Sequence, residues 1–112
     1  MVVPLKEISI VNLLKLNNPI IIDIRKSYDF SISHIPNSIN IPYLDFIIEF
    51  PNYLDKNKIY YICCDEGEKG RELANYLNHK GYNSVNIIGG FKEYKNYKYK
   101  NLGSLSNSVG RQ

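Results

Sequence analysis

Cysteine is scarce in this chain: two thiols in 112 residues, and they are neighbours, Cys63 and Cys64. Adjacent residues of an extended strand point to opposite faces, so a structural bridge between them is not expected. Two Cys beside only two His fall short of the four ligands of a structural zinc site, and no metal is expected. A single reactive thiol in a reducing compartment fits better. Trp is missing and Met occurs once. No stretch approaches the roughly 20 apolar residues of a membrane span. The N-terminus shows no apolar leader followed by a cleavage site, so a cytoplasmic protein without membrane contact is expected. There is no Gly-rich dinucleotide fingerprint and no Walker loop. The net charge of +3 is too small to argue for nucleic acid by itself.

What is present reads as one α/β domain, with the pattern running over residues 1–98. Ile20-Ile21-Ile22 leading to Asp23, and Ile59 through Cys63 leading to Cys64, are short apolar runs of the kind that form strands covered on both faces. Ser84 to Ile88 is a third strand, ending at Gly89-Gly90; Lys6-Glu7-Ile8 and Ser38-Ile39-Asn40 are weaker ones. Helical patterns alternate with them: Ile10 to Leu16, Tyr28 to Ser33, a helix capped by Asp45 and running through Ile48, and Gly70 to Lys80. In the last of these Leu73, Ala74 and Leu77 form the apolar stripe, and Gly81 is the stop signal. Strands alternating with helices predict a largely parallel sheet. From about Tyr99 the pattern stops, and residues 99–112 read as a flexible C-terminal tail.

The chemistry gathers after the strongest strand. Cys64 is followed by Asp65-Glu66-Gly67-Glu68-Lys69-Gly70 and then by the Leu73/Leu77 helix. In open α/β sheets, sites form beyond the carboxyl ends of the strands. A helix N-terminus placed there presents free N–H groups and a partial positive charge, which favour thiolate over thiol. The glycines let successive N–H groups converge on one point. Cys64 is therefore the candidate nucleophile and Cys63, inside the strand, a core residue. Asp23 and Arg25 read as an ion pair that fastens a strand end. His34 reads as a hydrogen-bonded loop anchor, and His79 as an exposed residue suited to a helix C-terminus. Lys92 through Lys100 mixes basic and aromatic residues, as single-strand nucleic-acid binders do. A solvated terminal helix is the simpler account, and nucleic acid is not expected as a partner.

The segment Cys64-Asp65-Glu66-Gly67-Glu68-Lys69-Gly70 resembles the active loop of the rhodanese-like domain family, C-x-x-G-x-R-S. Ile22-Asp23-Ile24-Arg25 is similar to that family's D-x-R element. Ser33-His34-Ile35-Pro36-Asn37-Ser38-Ile39-Asn40-Ile41-Pro42 is similar to G-H-I-P-G-A-x-N-I-P. The resemblance spans roughly residues 5–95, with several motifs in the same order. It implies a five-stranded, mainly parallel sheet flanked by helices on both faces. It also implies a sulfurtransferase in which Cys64 carries sulfur as a persulfide, without a cofactor. The expected partners are a small sulfur donor such as thiosulfate, or a protein persulfide, and a thiol, cyanide or protein acceptor; a monomer is expected.

The loop departs from the family pattern at Lys69, in place of the usual Arg, and at Gly70, in place of the usual Ser. Lys offers a point charge and no planar fork. Asp65, Glu66 and Glu68 crowd the approach of an anionic donor. Two other classes compete. A phosphatase or arsenate reductase needs Arg six positions after its nucleophile, where this chain has Gly70 and only then Arg71. A non-catalytic rhodanese module for binding or regulation fits the acidic loop, but such modules often lack the cysteine.

Overall fold

The computed structural model describes residues 5–110, with side chains described for residues 5–102. The element order is β1 (Glu7–Ile8), α1 (Ile10–Leu13), β2 (Ile20–Asp23), α2 (Ser27–Ile32), β3 (Ile39–Asn40), α3 (Tyr43–Tyr53), β4 (Ile59–Cys63), α4 (Glu68–His79), β5 (Asn83–Ile87) and α5 (Gly90–Gly110). Five strands form one sheet in the order β1-β5-β4-β2-β3. All four pairings are parallel. β4 lies at the centre, and Asp23 is in register with both Cys63 and Asn40 at the carboxyl edge.

The alternation of side chains splits the core into two layers. On one face Ile22, Ile62, Phe46, Leu73 and Leu77 pack together under α3 and α4. On the other, Ile21, Cys63, Ile87, Ile10, Leu13 and Phe91 pack under α1 and α5. Covering on both faces is why β2 and β4 are apolar throughout, and why the sheet can be parallel. The helices on both faces and the five-stranded parallel sheet agree with the resemblance noted in the sequence.

Several helix boundaries differ from the sequence reading. α3 starts at Tyr43, capped by the backbone of Pro42, so Asp45 lies in its first turn and is not the cap. Pro42 needs no N–H at that position, and its carbonyl accepts the first helical bond, from Phe46 N–H at 2.9 Å. The same helix runs on through Pro51, which ends it within a turn because its ring removes an N–H. α1 is only four residues long, closed by Leu14. α4 begins at Glu68, two residues before Gly70, because Gly67 takes a left-handed conformation (φ 101°) and serves as its N-cap.

α5 is helical through Gly110, across the region read as a tail. Its first turns are nucleated by packing of Phe91 and Tyr94 against the sheet, and each further residue adds one local hydrogen bond to a helix already begun. No described helix is long and apolar enough to cross a membrane.

Candidate functional site

Cys64 follows directly on β4, and its side chain is on the α3/α4 face, opposite that of Cys63. The loop then doubles back on its own sulfur. Gly67 N–H donates to Cys64 Sγ at 3.0 Å and Gly70 N–H at 3.2 Å. Gly67 is required twice over. Its φ of 101° lies where L side chains are strained, and a Cβ there would stand 2.8 Å from the backbone nitrogen of Gly89.

The N-terminus of α5 grips the loop from behind. Phe91 N–H donates to the carbonyl of Cys64 at 2.8 Å and Lys92 N–H to that of Asp65 at 3.0 Å. A Cβ on Gly90 would collide with the same Cys64 carbonyl, so this close approach needs glycine. The Gly89-Gly90 pair, legible in the sequence only as a strand end, is thus part of the mount of the Cys64 loop.

Asp23 and Arg25 form a buried fork. Arg25 Nη2 meets Asp23 Oδ2 at 2.8 Å, and its Nε reaches both carboxylate oxygens at 3.1 Å. Burial works against the Arg25 charge, but the Asp23 carboxylate outweighs it and holds the guanidinium above its ordinary value. The same Nη2 donates to the Ser33 carbonyl, and the guanidinium stacks 3.8 Å over the Phe91 ring. Asn40 ties the turn from the other side, donating to the carbonyls of Asp23 and Arg25. His34 lies apart from the sulfur: its ring stacks on Phe30 at 3.8 Å and its Nδ1 is 2.8 Å from the Phe30 carbonyl.

Above the sulfur opens a cavity of about 700 Å³ that brings together Cys64, Arg25, Asp65, Glu66, Glu68 and Lys69. Asp23 and His34 are not among its walls. Cys64 itself is only 4% exposed, so a reactant must reach in. Pro42, Tyr43 and Leu44 make an apolar wall, and Lys26 and Glu72 add charge at the rim. The sequence reading missed these. Glu72 had a usable signal, four residues after Glu68 and hence on the same face of α4. The Lys69 ammonium lies 4.5 Å over the Tyr43 ring. Glu66 meets Lys92 at 3.5 Å with both side chains exposed, a pairing that contributes little. A separate cavity of about 560 Å³ between α1 and α5 has no thiol or carboxylate among its described walls.

The Cys64 loop wraps on its own sulfur at the carboxyl edge of a sheet ordered β1-β5-β4-β2-β3, and the chain as a whole is similar to known proteins. A sequence model of the rhodanese-like domain matches residues 9–97. The chain belongs to the rhodanese-like domain family. A putative sulfurtransferase of Bacillus subtilis, YtwF, is 31% identical over 75 residues, which cover 67% of this chain and 72% of that protein. The adenylyltransferase and sulfurtransferase uba4 of Ogataea parapolymorpha is 34% identical over 79 residues; these are 68% of this chain but only 20% of that protein. Among solved structures, a rhodanese-like domain protein from Staphylococcus aureus is 33% identical, with a TM-score of 0.69 over 80% of this chain and 90% of that one.

Proposed function

We propose that this rhodanese-like domain is a sulfurtransferase with Cys64 as the sulfur carrier. The observation that carries the proposal is the pair of N–H groups, from Gly67 and Gly70, aimed at Cys64 Sγ at the floor of an open cavity. Donors fixed in advance stabilise negative charge on sulfur without reorganising during the reaction.

The chemistry is covalent nucleophilic catalysis in two half-reactions. The Cys64 thiolate attacks the outer sulfur of a donor, the donor's S–S bond breaks, and its electron pair leaves with sulfite or with the donor's thiolate. Cys64 is left as a persulfide. An acceptor thiolate, or cyanide, then attacks the terminal sulfur, and the Cys64 thiolate departs as leaving group. No net oxidation occurs and no cofactor takes part. Relatives named as sulfurtransferases support this reading.

The walls of the cavity favour some donors over others. Four carboxylates, Asp65, Glu66, Glu68 and Glu72, stand at its rim beside Lys26 and Lys69. Arg25 is already neutralised by Asp23. A dianion such as thiosulfate meets repulsion there, whereas a protein persulfide or a neutral or cationic thiol does not.

The test is mass spectrometry of the intact protein after incubation with a sulfur donor. A gain of one sulfur, removed by cyanide and missing in Cys64→Ser, is the expected outcome. If the parent protein takes up no sulfur from thiosulfate or from small persulfides, the domain is a binding module and the proposal fails.

A further inference from the structure

Asn86 is a buried polar residue whose position the sulfur chemistry described so far leaves unexplained. It lies on β5, is 1% exposed, and sits in register with Ile62 of β4 and Glu7 of β1. Its Nδ2 donates to Glu7 Oε2 at 2.8 Å, and that same oxygen receives Arg71 Nε at 3.3 Å. Its Oδ1 is buried and meets no hydrogen-bond partner among the described residues. A buried acceptor left without a donor is costly and is retained only where something else requires it.

The place that oxygen occupies supplies the requirement. A Cβ built on Gly70 would stand 2.5 Å from Asn86 Oδ1 and 3.2 Å from Cys64 Sγ. The amide is therefore wedged against the first turn of α4, next to the sulfur. It cannot swing aside without giving up the bond to Glu7. Residue 70 is also the residue whose N–H donates to Cys64 Sγ. Arg71, Glu7, Asn86 and Gly70 form a clamp that ties the start of α4 to β1 and β5.

We propose that Asn86 is a positioning residue for the nucleophile, and that residues 70 and 86 share one volume beside the sulfur. With Asn at 86, only Gly fits at 70 while its N–H still reaches Cys64. This accounts for Gly70 at the position where the resembling loops carry Ser. The proposal refines the sulfur-transfer reading, but it concerns the mount of the thiol and can be tested without any sulfur donor.

The experiment compares four full-length proteins: parent, Gly70→Ser, Asn86→Ala, and the double variant. The readouts are the rate of Cys64 alkylation by iodoacetamide across a pH series, with the site located by peptide mass, and the thermal unfolding midpoint. Gly70→Ser should displace its N–H from the sulfur, slow alkylation at neutral pH by about tenfold, as expected for loss of one bond to a charged group, and move the profile to higher pH. Asn86→Ala alone should slow alkylation by a smaller factor, because the first turn of α4 loosens. In the Gly70→Ser background the same Asn86→Ala change should instead speed it, since it clears the volume the serine needs.

A sign that reverses with residue 70 is the mark of shared space; two independent structural losses would multiply. Parent-rate alkylation in either single variant, or a double variant no faster than Gly70→Ser, overturns the proposal. Should Gly70→Ser fail to fold, the double variant must still melt cooperatively, and its failure to do so overturns the proposal equally. Absence of sulfur uptake by the parent would remove the functional reading and leave this result standing.

Discussion

Two thiols on consecutive residues, Cys63 and Cys64, are given opposite environments by the period-2 alternation at the end of β4. Cys63 is fully buried among Ile10, Leu13, Ile87 and Phe91. Burial pushes its thiol far up from its ordinary value, and the neighbouring Asp23 carboxylate adds to this. A raised value means that the neutral S–H form persists to higher pH, so Cys63 stays unreactive through the whole range in which the folded protein is handled. Cys64 faces the cavity and has two N–H groups on its sulfur. Alkylation of the native protein is accordingly expected to modify Cys64 alone, even when the pH is taken to about 9, above the usual thiol value of ~8.5. Cys63→Ser should keep most of the sulfur uptake. Peptide mapping after labelling decides the matter: a modified Cys63 in folded protein would mean that the register of β4 is shifted by one residue and the site with it.

At the scale of elements, what the sequence shows and what it conceals follow from how local each signal is. β2 and β4 are legible because strands covered on both faces must be apolar at every position. The body of α4 is legible from Leu73, Ala74 and Leu77, all buried. Its start is not, because it depends on Gly67 adopting a positive φ against Gly89, a contact with residues far along the chain. The clamp of Asn86 on Gly70 is hidden for the same reason: it joins β1, β5 and α4, and no spacing in the sequence encodes it. That α5 runs on to Gly110 is not legible, because composition reports tertiary packing better than it reports local hydrogen bonding. Of its side chains described, Phe91 and Tyr94 are buried and Tyr97 half-buried, all within its first eight residues. The packing that these three provide should survive removal of residues 103–112. The truncated protein is therefore expected to melt within a few degrees of the parent and to take up sulfur normally. A drop of more than about 4 °C in Tm, roughly 1 kcal/mol or less for a domain of this size, would show that the distal part of α5 contributes to the fold.

At the scale of the molecule, the site is a small cradle of N–H dipoles set in an acidic mouth. The N–H groups and helix dipole act within one turn of the sulfur. The carboxylates of Asp65, Glu66, Glu68 and Glu72 act on anything that approaches through the cavity. Two like charges ~5 Å apart repel by about 1 kcal/mol even in water, and more in a sheltered cleft. A dianion feels this twice, while only Lys26 and Lys69 oppose it, and the Lys69 ammonium is engaged with Tyr43. Thiosulfate should therefore be a slow donor, and added salt should speed it by screening the repulsion. Replacing Asp65 by Asn, Glu66 by Gln and Glu68 by Gln together should raise thiosulfate turnover about tenfold, or ~1.4 kcal/mol of barrier, and flatten the salt dependence. Transfer from a neutral or cationic persulfide should change far less. Steady-state thiosulfate:cyanide kinetics of parent and triple variant at two salt concentrations separate the cases. A parent that is already fast, with a triple variant no faster, would mean that the carboxylates do not govern the approach to Cys64 and that thiosulfate is as suitable a donor as any.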